Sequence, residues 1–230
     1  MISFFIPIRK NSKRIKNKNT KKIKNFKLGL TEIKILKLKK FLKKKIYNIK
    51  NTNYEFIVST DCNKVKLFLK KYKWIKVHNR SKKLSSDDCL YDLIKEVPKI
   101  CKGKFILWTH VTSPLFNENC YAKFISEFIK NIKKFDSAFS ADVAGTFVMN
   151  DKKKWISHNP KLNKWPRTQD LKNLYLVNNA AFIANRYIYL SKKDRLGEKI
   201  LPVISKNLSG FDIDNLDDFN FFKNKLISNF

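Results

Sequence analysis

Three uninterrupted apolar runs, ISFFIPI (2–8), EFIVST (55–60) and KFILWT (104–109), are each followed by a polar stretch and then by helical periodicity. A strand that is apolar at nearly every position is buried on both faces, the condition of a parallel sheet layered between helices. Successive β-α units of this kind close in the right-handed sense and leave an open, twisted sheet. The expectation is an α/β fold with a mostly parallel central sheet and helices on both faces. At 230 residues one domain spanning 1–230 is the default, and 43% hydrophobic residues with 19 Phe can fill its core.

The remaining elements follow from local signals. Thr31 reads as the cap of a helix reaching about residue 45, and Asp61 as the cap of a second carrying Val65, Phe68 and Leu69. A short strand (IKVH, 75–78) and a helix from about Ser86 to Ile100 come next. Tyr121, Phe124, Ile125, Phe128, Ile129 and Ile132 then follow i, i+3, i+4 spacing most closely. After Asp136 the rhythm changes. DSAFSA (136–141) and GTFVMN (145–150) read as strands, 151–173 as a polar excursion with Trp155 and Trp165, and LYLVNNAAFIA (174–184) as a returning strand. The chain closes with an acidic turn and a helix packing Leu216, Phe219, Phe222 and Leu226.

Fifty Lys and Arg against 19 Asp and Glu leave a net charge of +31. Such a balance fits nucleic acid, an anionic membrane or a polyphosphate. It also fits a compositional bias in which most lysines are solvated. The excess is uneven: residues 1–50 carry 18 cations and one acid, Glu32, whereas Asp212, Asp214, Asp217 and Asp218 crowd the last 21 residues. Cys62, Cys89, Cys101 and Cys120 form no CxxC pair and no metal-like spacing with His78, His110 or His158, as expected of thiols in a reducing cytoplasm. No apolar run approaches the roughly 18 residues of a membrane span, and no signal peptide is recognisable, so a soluble cytoplasmic protein is expected.

Ligands of open α/β sheets bind where strands end and loops enter helices. Four such places carry unusual residues. The loop after the first strand holds Arg9, Lys10, Lys13, Arg14, Lys16 and Lys18, with Ser12, Asn11 and Asn19 as neutral donors. It can neutralise a triphosphate, or it can be a solvated basic loop. THVTSPL (109–115) places His110, Thr112 and Ser113 after an apolar strand, though a lone His there is commonly structural. In 164–180, Arg167 suits a carboxylate and Asn178 or Asn179 a polyol. Asp212 and Asp214, two apart, share one face of an extended segment. They suit a hard divalent ion such as Mg²⁺ or, alternatively, the cap of the helix that follows.

Taken together the four loops resemble the acylneuraminate cytidylyltransferases, or CMP-sialic acid synthetases, from residue 2 to about 222. Their opening pattern I-P-A-R-x-x-S-K-x-x-x-x-K-N is similar to IPIRKNSKRIKNKN, with Arg9, Ser12, Lys13, Lys18 and Asn19 on matching positions. VSTD recurs at Val58–Asp61, R…L…D at Arg80, Leu84 and Asp87, and TSPL at Thr112–Leu115. The R-x-Q or RQ segment appears at Arg167 and Gln169, the following N-G-A as NNA at 178–180, and D-I-D at Asp212–Asp214.

The resemblance implies a Rossmann-like nucleotide-diphospho-sugar transferase fold, with an excursion at 142–175 contributing to a homodimer. It implies Mg²⁺-dependent transfer of CMP from CTP to a nine-carbon 2-keto sugar acid for surface glycan biosynthesis, with no membrane insertion and no nucleic acid. Arg9, Lys18 and Asp214 would be catalytic. Arg9, Ser12, Lys13, Lys18, Asn19, Arg80 and Asp87 would bind nucleotide; His110, Arg167, Gln169 and Asn178 would bind sugar; Asp212 and Asp214 would hold the metal.

Departures are visible as well. Two customary glycines are Lys10 and Asn11, and Asn11 is expected to manage the turn through positive φ. A customary Gln is His110, a serine that touches cytosine is Tyr91, and GKPL is replaced by NFKLGL. Lys10, Arg14 and Lys16 are expected to face water. The QGDEP pattern of the KDO-specific branch is absent. Two other readings stay open: an inactive family member acting as a partner subunit, and a basic nucleic-acid-binding protein using residues 9–50.

Overall fold

The computed structural model describes residues 1–44, 52–86 and 89–228. In chain order it contains β1 (Ile2–Ile8), α1 (Gly29–Lys43), β2 (Tyr54–Thr60), α2 (Asn63–Leu69), β3 (Ile75–Asn79), α3 (Leu90–Ile100) and β4 (Phe105–Trp108). There follow α4 (Glu118–Lys130), β5 (Ser137–Val143), β6 (Tyr175–Asn185), α5 (Arg186–Ser191), β7 (Ile200–Ile204) and α6 (Leu216–Ser228). The strands form one sheet in the order β3-β2-β1-β4-β6-β5-β7. β1 to β4 are mutually parallel, β6 runs antiparallel to both β4 and β5, and β7 is parallel to β5. The expected mostly parallel α/β architecture is present.

Alternation along β1 divides the core. Ile2, Phe4, Ile6 and Ile8 face a layer built by α1, α2, α4 and α6, where Phe4 stacks on Phe56 at 4.7 Å between ring centroids. Phe5 points the other way, with Ile57, Trp108 and Phe182, onto Leu93, Ile94 and Val97 of α3 and Ile188 and Tyr189 of α5. Helices therefore cover both faces, and every strand of the centre is buried twice.

One proline, Pro7, marks where the ladder ends. β4 pairs with β1 only from Ile2 to Phe5, so Pro7 sits beyond that pairing and its missing N–H costs nothing. Past this point β1 and β4 part, opening a crevice at the carboxyl ends of the two strands. Because β2 and β4 flank β1 on opposite sides, this is the position where the strand order reverses.

Several local expectations are corrected. Thr31 lies inside α1, buried, with Oγ1 donating to the Asn19 carbonyl at 2.7 Å; Leu28 precedes the helix instead. Gly29 opens α1 at φ 46°, where a Cβ would overlap the Lys21 carbonyl. Asp61 does not cap α2: Cys62 holds that position, and Asp61 Oδ1 accepts from the Lys10 amide at 2.7 Å. α3 begins at Leu90 rather than near Ser86. Residues 145–150 make no strand, only a bridge between Met149 and Trp155, because the described residues place no other strand beside them. Ile132 lies beyond α4 and Leu216 is exposed on α6. The short elements α5 and β7 were not foreseen.

Candidate active site

A cavity of about 530 Å³ fills the crevice where β1 and β4 part. The loop after β1 supplies one wall. Its conformation is set by Ile15 and Ile23, both buried, and by Asn19, whose side-chain amide donates to the Arg9 carbonyl at 3.1 Å. Thr31 closes the clamp by donating both its amide and its hydroxyl to the Asn19 carbonyl. The loop winds through turns that bring Thr20 and Lys21 amides to the Asn17 carbonyl at 2.8 Å. Asn17 and Lys24 have positive φ, at 56° and 49°, and Asn11 does not, which corrects the expected place of the turn. Arg9, Ser12, Lys13, Lys18 and Asn19 all line the cavity.

VSTD, at the end of β2, braces the opposite wall. Ser59 Oγ accepts from Arg80 Nε at 3.2 Å and the Ser59 carbonyl from the same guanidinium at 3.1 Å, holding a buried arginine against the cavity. Thr60 Oγ1 accepts from the Cys62 amide, and Asp61 ties down the backbone of the loop after β1 at Lys10. The motif thus positions other residues. Asp87 lies outside the described residues.

The turn before α6 forms the third wall. Asn215 Oδ1 accepts from the Asp218 amide at 2.9 Å while Asp218 Oδ2 accepts from the amides of Asp214 and Asn215. This reciprocal cap leaves neither Asp212 nor Asp214 with a capping task. The Ile213 amide donates to the Thr112 carbonyl at 2.8 Å, so this turn and the loop after β4 are tied together. Asp212 accepts from Ser113 Oγ at 3.4 Å and from Asn179 Nδ2 at 3.3 Å. Asp214 lines the cavity, with Arg14 at 2.8 Å and Lys18 at 4.0 Å. Lys18 also donates to the Ile213 carbonyl at 2.5 Å; burial pulls its pKa down, against the opposing pull of Asp214 and Asp212.

Arg14 is therefore a cavity residue paired with a carboxylate, not one facing only water. Lys34 is a second residue that the sequence reading missed. It is fully buried in α1 and donates to the Ser113 carbonyl at 3.0 Å and to Tyr121 Oη at 2.8 Å, supporting the loop after β4 from below. Burial, reinforced by Lys37, lowers its pKa to about 7. The signal for it was available: Leu30, Lys34 and Leu38 recur every four residues along the apolar stripe.

The predicted sugar residues divide. His110 lines the cavity and accepts at Nε2 from the Trp108 indole N–H at 2.9 Å. Asn178 is buried outside the lining, with its amide committed to Ser140, Asp142 and Ser205. Arg167 and Gln169 lie on the excursion and are not part of the cavity lining; Arg167 is exposed and pairs with Asp170 at 2.8 Å. Tyr91 is exposed on α3, while its neighbours Cys89, Leu90 and Leu93 face the cavity.

Comparison with known proteins gives the following. The family model described as Cytidylyltransferase matches residues 3–199. Among curated proteins no sequence matches the chain. Among solved structures it is similar to CMP:2-keto-3-deoxy-manno-octonic acid synthetase complexed with CTP, at 13% identity and a TM-score of 0.63, over 100% of this chain and 99% of that one. It is also similar to 4-diphosphocytidyl-2C-methyl-D-erythritol synthase from Anaerococcus prevotii, at 14% identity and TM-score 0.64 over 98% of each chain. A cytidylyltransferase from Leptospira borgpetersenii matches at 13% identity and TM-score 0.59, over 100% of this chain and 87% of that one. Identities this low establish the fold alone.

Proposed function

We propose that this chain, which belongs to the cytidylyltransferase family, transfers CMP from CTP to the anomeric hydroxyl of a nonulosonic, sialic-acid-like sugar acid and releases pyrophosphate. The observation that carries the reading is one cavity at a strand-order reversal into which Arg9, Lys13, Lys18, Arg80 and Asp214 all project. With Arg14 the lining holds five cations and one carboxylate, an excess of positive charge suited to a polyanion rather than a neutral ligand. A triphosphate neutralises them.

In this reading Arg9 and Lys18 hold the phosphates, with Ser12, Lys13 and Asn19 beside them, and Arg80 stands at the nucleotide end. The sugar hydroxyl attacks the α-phosphorus in line; an oxygen–phosphorus bond forms as the bond to pyrophosphate breaks. Charge growing on the equatorial and leaving oxygens meets cations that are already in place, so little reorganisation is needed. Lys18 is held by the Ile213 carbonyl and Arg80 by Ser59.

Asp212 and Asp214 supply hard oxygen donors, and two carboxylates are the usual protein share of a Mg²⁺ shell completed by phosphates and water. Among the described residues no group of three or more His, Cys, Asp or Glu could hold a metal ion alone. The pair therefore suits an ion that arrives with its nucleotide. Bound there, Mg²⁺ would supply charge neutralisation of the phosphates and a lowered pKa for the attacking hydroxyl. His110 at the cavity floor is the sugar-acid contact in this reading.

The reading extends to a homodimer through 142–175, where Leu162 and Trp165 are 85% and 62% exposed and Leu176 and Val177 follow on β6. Among the described residues no helix is long and apolar enough to cross a membrane. The test is purified protein with CTP, Mg²⁺ and a panel of nonulosonic and octulosonic acids, read by pyrophosphate release. Turnover with a nonulosonic acid supports the assignment. No release with any acid refutes it; salt-sensitive RNA binding would then favour the nucleic-acid reading.

A further inference from the structure

Trp108 ends β4 with no exposed surface, and a buried indole N–H must find an acceptor. It finds Nε2 of His110 at 2.9 Å. An indole nitrogen only donates, so Nε2 receives through its lone pair and the single proton of a neutral ring resides on Nδ1. Nδ1 has no bond to any described residue. It is also absent from the buried polar atoms without a partner, which among the described residues are His158 Nε2 and Tyr189 Oη. Since His110 lines the cavity, Nδ1–H opens into it.

The surroundings keep the ring in that form. Burial lowers its pKa to about 3, and Arg195, Lys34, Arg80 and Lys18 push in the same direction. All four are cationic. Arg195 is the strongest of them, anchored 3.7 Å from the Phe182 ring centroid and 5.6 Å from that of Trp108. These influences favour the neutral ring, and the cations around it favour an anionic oxygen beside it.

We infer that Trp108 is a positioning residue that fixes His110 as a neutral Nδ1–H donor, and that this donor reads the carboxylate of the sugar acid. The inference rests on the proposed reaction for its substrate and on geometry alone for its tautomer. A donor with one orientation discriminates where an amide does not: a carboxamide can present either its N–H or its C=O, whereas this ring presents only N–H. An acid whose carboxylate oxygen meets Nδ1 is favoured over one that presents a hydroxyl there, because the charged acceptor takes the stronger bond.

The experiment begins with the unliganded, full-length chain labelled with ¹⁵N-histidine. One ring, identified by its loss in His110→Gln, should show the proton on Nδ1 from about pH 8 to pH 5. A proton on Nε2, or protonation of both nitrogens within that range, overturns the Trp108 half. Adding the acid that supports turnover should move the Nδ1–H resonance and its methyl ester should not; an unmoved resonance overturns the carboxylate half. Trp108→Phe should give a mixture of tautomers and raise KM for the acid about tenfold, as the loss of one charge-assisted hydrogen bond does, with kcat and the KM for CTP held. An unchanged KM for the acid also overturns it. Absence of turnover with every acid falls on the proposed reaction, since the tautomer of the free enzyme is read without it.

Discussion

Arg14 and Asp214, from opposite ends of the chain, meet at 2.8 Å across the mouth of the cavity. Both side chains are more than half exposed, so the pair itself contributes little, about 0–1 kcal/mol, and exchanges partners readily. A triphosphate accompanied by a divalent ion offers each a stronger partner. We expect Arg14→Ala to raise the KM for CTP about tenfold, with little change in the KM for the acid. Asp214→Asn should abolish turnover even at saturating CTP. Steady-state pyrophosphate release measures both, and near-normal turnover in the Asp214 variant would refute the metal assignment.

Lys34 predicts a pH dependence of stability. Its folded pKa is about 7 against an ordinary 10.5, so between these values the unfolded chain binds a proton that the folded chain does not. Stability then rises with pH across this window and is lowest below it, where the folded protein must hold a buried charge. In Lys34→Met the rise from this residue should vanish. Urea unfolding of both proteins between about pH 7 and 10 gives the comparison. Parallel curves for the two proteins would show that Lys34 does not titrate there.

Asn178 predicts a loss of stability. Its amide accepts from Ser140 Oγ at 2.6 Å and donates to Asp142 at 3.1 Å and Ser205 at 3.0 Å, joining β5, β6 and the segment after β7. Asn178→Ala strands three polar groups and is expected to cost about 2–3 kcal/mol. Denaturant unfolding reads this directly. A variant of undiminished stability would mean that water replaces the amide at no cost.

The sheet and the cavity-lining loop after β1 were legible because both are local statements. An apolar run predicts a doubly buried strand, and the loop after it must emerge at the carboxyl end, so Arg9, Lys18 and Arg80 converge once the order of strands is known. Arg14 was not legible because its partner lies in another element, and a cation amid cations carries no mark of its own. β7 was hidden by Pro202, which reads against a strand and is tolerated here only because β7 is an edge. Residues 145–150 misled in the other direction: they have strand-like composition, but pairing depends on a neighbour that the topology does not bring. Thr31 and Asp61 look like caps by type, yet each spends its oxygen on a tertiary contact, with Asn19 and with Lys10.

Gly103 separates stability from function. A Cβ there would stand 2.7 Å from both the amide nitrogen and Oγ of Ser3 and 2.9 Å from the Phe105 carbonyl, all close-packed. Ser3 Oγ accepts from the Gly103 amide at 2.8 Å and donates to Glu55 at 2.6 Å, and Glu55 in turn accepts from the Lys102 amide and pairs with Lys76. Gly103→Ala must therefore shift β1 or break this buried network, at an expected cost of about 1–3 kcal/mol. The network lies at the amino end of β1, across the sheet from the cavity at its carboxyl end. The melting temperature should fall while kcat and both KM values of the folded fraction stay near those of the parent, measured well below the melting transition. A loss of kcat at full folding would show that the register of β1 reaches the loop that follows it.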